Sequence, residues 1–127
     1  MAKHVAVDLG AESGRIIVGD VRQIEVVYRF ANQPVRIRES IYWDVLNIFA
    51  EIKQGLKEVF DRYQGQIRSI GLDTWGVDYA LLDSQGELIG SVYHYRDPRT
   101  DGMPDRVFSL IPKREIYEET GIQHMQI

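Results

Sequence analysis

Between residues 45 and 63 apolar side chains recur at spacings of three and four: Val45, Ile48, Phe49, Ile52, Leu56, Val59, Phe60 and Tyr63. With 3.6 residues per turn these positions fall on one stripe of a helix. Glu51, Lys53, Lys57, Glu58, Asp61 and Arg62 fall mainly off it and read as a solvated face. Asp44 stands where its carboxylate can accept from the free N–H groups of the first turn, and Gly65 suits the residue just past the end. Gly55 costs a helix interior up to ~1 kcal/mol relative to alanine, which points to close packing at that position. A helix of this length is sufficient for the crossover that joins two parallel strands, so it constrains what the flanking segments can do.

Those flanking segments read as strands. Val5 to Leu9 is a short apolar run, Gly10-Ala11-Glu12-Ser13-Gly14 a tight turn, Arg15 to Gly19 a returning strand, and Ile24 to Phe30 a third. After the helix, Ile67 to Leu72 resumes strand character and stops at Asp73. Tyr79 to Leu82 and Leu88-Ile89, separated by the turn Asp83-Ser84-Gln85-Gly86, read as a hairpin. Tyr95 to Pro104 reads as a long ordered loop, and Lys113 to Thr120 as a short helix closed by Gly121. An antiparallel meander, a crossover helix and a strand returning beside the first give a mixed sheet in β-β-β-α-β order. This is the ribonuclease H-like half-domain of α/β class, shared by nucleases and by the actin, chaperone and hexokinase superfamily.

Composition narrows the chemistry. The 127 residues contain no cysteine, which excludes disulfides, thiolate zinc sites and a cysteine nucleophile. A net charge of −4 argues against nucleic acid as the main partner. The apolar run after Met1-Ala2-Lys3-His4 is broken at Asp8, too early for a signal peptide or a membrane span, so no membrane partner is expected and a cytoplasmic location is.

Two constellations carry the functional signal. Asp8 ends the first strand, where its carboxylate needs a partner. Gly10 and Gly14 bracket a turn in which positive φ and exposed N–H groups could meet an anion. Ser13 adds a hydroxyl and Arg15 a guanidinium. Asp8 cannot face phosphate directly, so its sensible role is to hold Mg²⁺, through water. A β-hairpin whose glycines serve only its turn, with Asp8 initiating that turn, is the competing account. The second constellation is Asp73-Thr74-Trp75-Gly76-Val77-Asp78, at the carboxyl end of a parallel strand where ligands collect in α/β sheets. Trp75 offers a flat face, Gly76 room against backbone, and Asp78 an acceptor for hydroxyls; a turn anchored by a core tryptophan is the competing account. A third segment, Tyr95 to Gly102, brings Arg96 and Asp97, suited either to polyol hydroxyls or to pairing with one another. His4, His94 and His124 have no metal-ligand spacing.

Three runs, Val5 to Arg15, Gly71 to Asp78 and Tyr95 to Thr100, together resemble the FGGY carbohydrate kinases, and the likeness extends to Gly121-Ile122-Gln123. The resemblance implies ATP-dependent phosphorylation of a ketose, L-rhamnulose at its 1-hydroxyl, with ATP and Mg²⁺ as cofactors. It assigns Ala11, Glu12, Ser13, Gly14 and Arg15 to ATP, Asp8 to the metal, and Gly76, Trp75, Asp78, Arg96 and Asp97 to the sugar. It also implies that residues 1–127 are the N-terminal part of the first kinase domain. The family's catalytic base lies in a His-Asp-Thr segment that does not occur among these residues, so a base is expected beyond Ile127 and no activity from this segment alone. Two other readings share the fold: a nuclease with Asp8 and Asp73 in a two-metal site, and a chaperone- or actin-like ATP-binding module. The glycine turn and the acidic charge speak against the nuclease, and a sugar pocket would separate the kinase from the module.

Overall fold

The computed structural model describes residues 2–125. Strands β1 (Lys3–Leu9), β2 (Ser13–Gly19) and β3 (Ile24–Ala31) form the antiparallel meander. A small hairpin, β4 (Val35–Ile37) and β5 (Ser40–Trp43), precedes helix α1 (Val45–Tyr63). Strand β6 (Ile67–Asp73) then returns parallel to β1, giving the sheet order β3-β2-β1-β6. The β-β-β-α-β reading therefore holds, with the extra hairpin inserted before the helix. The two-residue strand β7 (Val92–Tyr93) pairs with β5 to make a second sheet, β4-β5-β7. A single 3-10 turn at Pro98–Thr100 and helices α2 (Met103–Phe108) and α3 (Lys113–Thr120) complete the described chain.

Alternation on the strands and the stripe on α1 meet in one core. Val5 and Val7 of β1, Ile16 and Val18 of β2 and Val59 of α1 are all essentially inaccessible. The centre line of the helix runs through Ile48, Gly55 and Val59, with Ile52, Leu56 and Tyr63 packed beside it. Phe49 and Phe60, expected on the buried stripe, are instead 60% and 46% exposed. Each follows a buried residue by one position, about 100° around the helix, which carries it past the margin of the sheet. The Lys53 ammonium lies over the Phe49 ring, 4.8 Å from its centroid. Asp44 caps α1 as its position predicts, accepting from Asn47 N at 3.0 Å.

The expected hairpin at residues 79–89 is reduced to one bridge, between Leu82 and Leu88. Its turn forms: Asp83 Oδ1 accepts from the N–H groups of Gln85 and Glu87 at 2.8 and 2.9 Å. The arms do not extend, because Leu81, Leu82 and Ile89 are each more than half exposed and find no face to pack on. The segment Tyr95 to Pro104 is more regular than a loop, containing the 3-10 turn and the first residues of α2. Gly121 closes α3 in the left-handed conformation expected of it (φ 67°). Among the described residues no helix is long and apolar enough to cross a membrane.

Candidate functional site

The parallel pairing of β1 and β6 sets Asp8 directly opposite Asp73 at the carboxyl edge of the sheet. On its other side Asp8 faces Arg15 of β2, and their side chains form an ion pair. Both remain partly accessible, the Asp8 side chain 30% and that of Arg15 39% exposed. Arg15 Nε is buried without a hydrogen-bond partner. A partly exposed guanidinium beside a partly exposed carboxylate is a pair of groups suited to a phosphate and a hard cation. Among the described residues no three His, Asp or Glu side chains converge.

The turn joining β1 to β2 is built differently from the expectation. Neither Gly10 nor Gly14 takes a left-handed backbone. Gly14 lies inside β2, and a Cβ there would overlap the Phe30 ring, so the missing side chain makes room for an aromatic. Gly10 N donates to Ser13 O at 2.9 Å. What holds the turn is Asn32, which sequence reading passed over. It is 3% exposed, its amide donates to Gly10 O at 2.9 Å, and its backbone N–H donates to Glu12 O at 3.0 Å. Ala11 packs inward against the second core cluster, while Glu12 stays exposed. A buried asparagine shortly after a strand end, facing a turn rich in backbone groups, was the signal available.

Beyond β6 the chain leaves regular structure. Trp75 stacks on Trp43 of β5 with centroids 4.4 Å apart, so it is partly the core anchor that the competing account foresaw. Both indoles donate to the same oxygen: Asp78 Oδ2 accepts from Trp43 Nε1 at 2.6 Å and from Trp75 Nε1 at 2.7 Å. Gly76 is open, with nothing within 4 Å of where a Cβ would stand. Val77 adopts φ 72°, an outlier for a β-branched residue that costs about 1–3 kcal/mol and is typical of strained functional loops. A cavity of about 350 Å³ opens alongside, with Val77, Asp78, Tyr79, Tyr95, Arg99 and Thr100 among its walls.

Arg96 and Asp97 separate. Arg96 is exposed and lies over the Tyr95 ring at 5.2 Å. Asp97 is 2% exposed, and its oxygens accept from Ile41 N at 2.7 Å and Arg99 N at 2.9 Å. Burial pushes its carboxyl upward, but those two N–H groups and the Arg99 guanidinium outweigh it and hold the group below the ordinary carboxylate value. It fastens the 3-10 turn to β5 and is not free to grip a polyol, contrary to the sequence expectation. Arg99, which sequence reading did not single out, is the residue that reaches the cavity.

His94 is 5% exposed and stacks between Trp43 (4.2 Å) and Tyr95 (4.3 Å). Its Nδ1 accepts from Arg96 N at 2.9 Å, which requires the neutral ring. Burial depresses its affinity for a proton, the charge of Asp78 opposing and that of Arg96 assisting. A histidine with a lowered folded pKa is neutral and stabilising above the unfolded value of about 6.5, and that stability is lost as pH falls through the folded value. The urea midpoint is therefore expected to be lower at pH 5.5 than at pH 7.5, with a shallower dependence in His94→Phe, which keeps the stack. Equal dependence in the two proteins would show that His94 is not the group responsible.

The model of the FGGY family of carbohydrate kinases, N-terminal domain, matches residues 4–127. A rhamnulokinase of Bacteroides thetaiotaomicron is 45% identical over 124 residues, 94% of this chain and 25% of that protein. One of Oceanobacillus iheyensis is 44% identical over 124 residues, 94% of this chain and 26% of that protein. The chain thus spans about a quarter of the length of the curated relatives it matches. Among solved structures, the gluconate kinase of Lactobacillus acidophilus superposes with a TM-score of 0.81 at 15% identity, over 95% of this chain and 25% of that one. The glycerol kinase of Plasmodium falciparum with ADP does so at 0.79 and 13%, over 99% and 26%. These likenesses carry the fold, and the family match carries the kinship: the chain belongs to the FGGY family of carbohydrate kinases.

Proposed function

We propose that the protein carrying this chain is a cytoplasmic enzyme that phosphorylates a ketose with ATP, L-rhamnulose being taken to L-rhamnulose 1-phosphate. Residues 1–127 supply the front of its first domain. What supports the reading is a juxtaposition: the parallel register sets Asp8 beside Asp73, and the 73–78 segment leads from that edge to a cavity with a fixed acceptor. The identity of 44–45% to proteins named rhamnulokinase supports L-rhamnulose as that ketose.

In this reading Asp8 holds Mg²⁺, and Ser13, Arg15 and the backbone of Ala11, Glu12 and Gly14 receive the triphosphate. Bound Mg²⁺ neutralises charge on the phosphoryl oxygens. Arg15 exchanges its partner, moving its guanidinium from Asp8 to a phosphate oxygen. The sugar lies against Gly76, with Asp78 accepting from its hydroxyls, Trp75 and Arg96 bordering it, and Asp97 holding the wall from behind. The hydroxyl proton passes to a carboxylate outside these residues, since they contain no His-Asp pair. This segment therefore orients both substrates and by itself transfers no phosphate.

Coupled measurement of ADP release by the full-length protein tests the proposal, with L-rhamnulose, xylulose, ribulose and glycerol as acceptors. The highest kcat/KM is expected for L-rhamnulose. Turnover confined to another acceptor would reject the substrate assignment, and ADP release indifferent to every sugar would reject the kinase.

A further inference from the structure

The oxygen that receives both indole N–H groups belongs to Asp78, the residue placed against the sugar. We propose that Trp43 is a positioning residue for the sugar, acting through Asp78, which takes the sugar-kinase function as its premise. Asp χ2 is a soft torsion with a broad distribution, so a carboxylate on an irregular segment has no fixed orientation of its own. Here Oδ2 is taken by Trp43 and Trp75, and among the described residues no protein donor reaches Oδ1. The carboxylate is therefore locked with one oxygen turned away and the other left to accept from a ligand hydroxyl.

The two donors are not equivalent. Trp75 stands on the same loop as Asp78, three residues away, and moves with it. Trp43 comes from β5, 35 residues earlier, is 3% exposed, and is packed on its faces by His94 and Trp75. It also shares a core cluster with Ile48 of α1 and Val92 of β7. Its N–H is a fixed point of the scaffold, and the bond to Asp78 ties the loop to it. The αL kink at Val77, unfavourable for that residue, lies between the open Gly76 and the clamped carboxylate, as expected of a loop held in shape from outside. A buried indole N–H needs an acceptor; a backbone carbonyl would have served packing alone, whereas a carboxylate facing the cavity serves the ligand too.

The test uses the full-length protein and Trp43→Phe, which keeps an aromatic ring in the stack and removes only the N–H. KM for the ketose should rise about tenfold, KM for ATP should stay within about twofold, and the melting temperature should fall by no more than a few degrees. In an Asp78→Ala background, which removes the acceptor altogether, the same substitution should add less than about twofold, because Trp43 acts only through that side chain. Trp75→Phe, which removes the other donor, should raise the ketose KM in the same direction and serves if Trp43→Phe does not fold. An unchanged ketose KM overturns the inference, as does an equal rise in both KM values or a full effect in the Asp78→Ala background. A wild-type protein without sugar-dependent ADP release overturns the premise and the inference together, which separates the two failures.

Discussion

Asp8→Asn is expected to lower kcat/KM for sugar phosphorylation by about 100-fold or more while leaving the fold in place. Two accounts of Asp8 make different predictions here, and magnitudes separate them. As the partner of Arg15 on adjacent strands it is half of a partly exposed ion pair, and such pairs contribute about 0–1 kcal/mol to stability. As the residue that holds Mg²⁺ against a triphosphate it contributes where charge develops, and loss of a group that ligates or orients a metal costs on the order of 10–100-fold or more. The amide keeps the shape and can still accept a hydrogen bond from Arg15, so stability should shift by less than about 1 kcal/mol. The relevant comparison is kcat/KM for ATP at rising Mg²⁺, together with the melting temperature. Activity within about threefold of the wild type would reduce Asp8 to a hairpin ion pair. A large loss that excess Mg²⁺ partly restores would identify it with the metal.

The main sheet was legible because its signals are local and periodic. Val5 and Val7 alternate, Ile16 and Val18 alternate, and the stripe on α1 has the spacing of a long helix; each pattern specifies an element and its buried face. The parallel return of β6 followed from the length of the crossover. The second sheet was not legible. β4 and β5 are three and four residues long, β7 is two, and β4 is exposed throughout, so no stripe of burial marks them. What stabilises that sheet is long-range: Asp97 reaching Ile41 N, the Tyr42 and Tyr93 rings stacked 4.7 Å apart, and Trp43 anchored in the core. None of these pairs is close in sequence.

For the site, residue identity was informative and residue role was less so. Asp8 and Asp73 were recognisable as groups at strand ends, and the sheet brings them into register. In sequence Asp97 and Asp78 are both carboxylates in segments assigned to the sugar. Only the fold distinguishes them: one is saturated by backbone N–H groups and 2% exposed, the other keeps an oxygen free. The glycines teach a related point. In sequence Gly10 and Gly14 suggest backbone freedom near an anion, yet Gly14 is required by the Phe30 ring. At Gly14 a Cβ does not fit, and sequence alone does not say what occupies the space.

Gly55 is where that lesson has its largest consequence for stability. A Cβ added there would overlap Ile16 Cγ1 and stand 2.8 Å from Tyr28 Cδ1. Ile16 is fully buried in β2, and Tyr28 is held by the bond from its hydroxyl to Glu51 Oε2 at 2.6 Å, one turn earlier on α1. Neither neighbour can give way cheaply, so the helix itself must lift from the sheet and part Val59 from Val5, Val7 and Val18. Helix propensity pulls the other way, since replacing glycine in a helix interior gains up to ~1 kcal/mol. For alanine the two effects nearly offset, with a net loss of about 0–2 kcal/mol. For leucine, three more carbons enter the same gap and overpacking wins, at a cost of about 3 kcal/mol and a melting temperature about 10 °C lower. Gln54→Leu is the control, placing the same side chain one position away on the exposed face, where it should shift the melting temperature by no more than about 2 °C. If Gly55→Leu melted with the control, α1 would not be seated on β2 through Gly55, and the close approach that defines this core would be wrong.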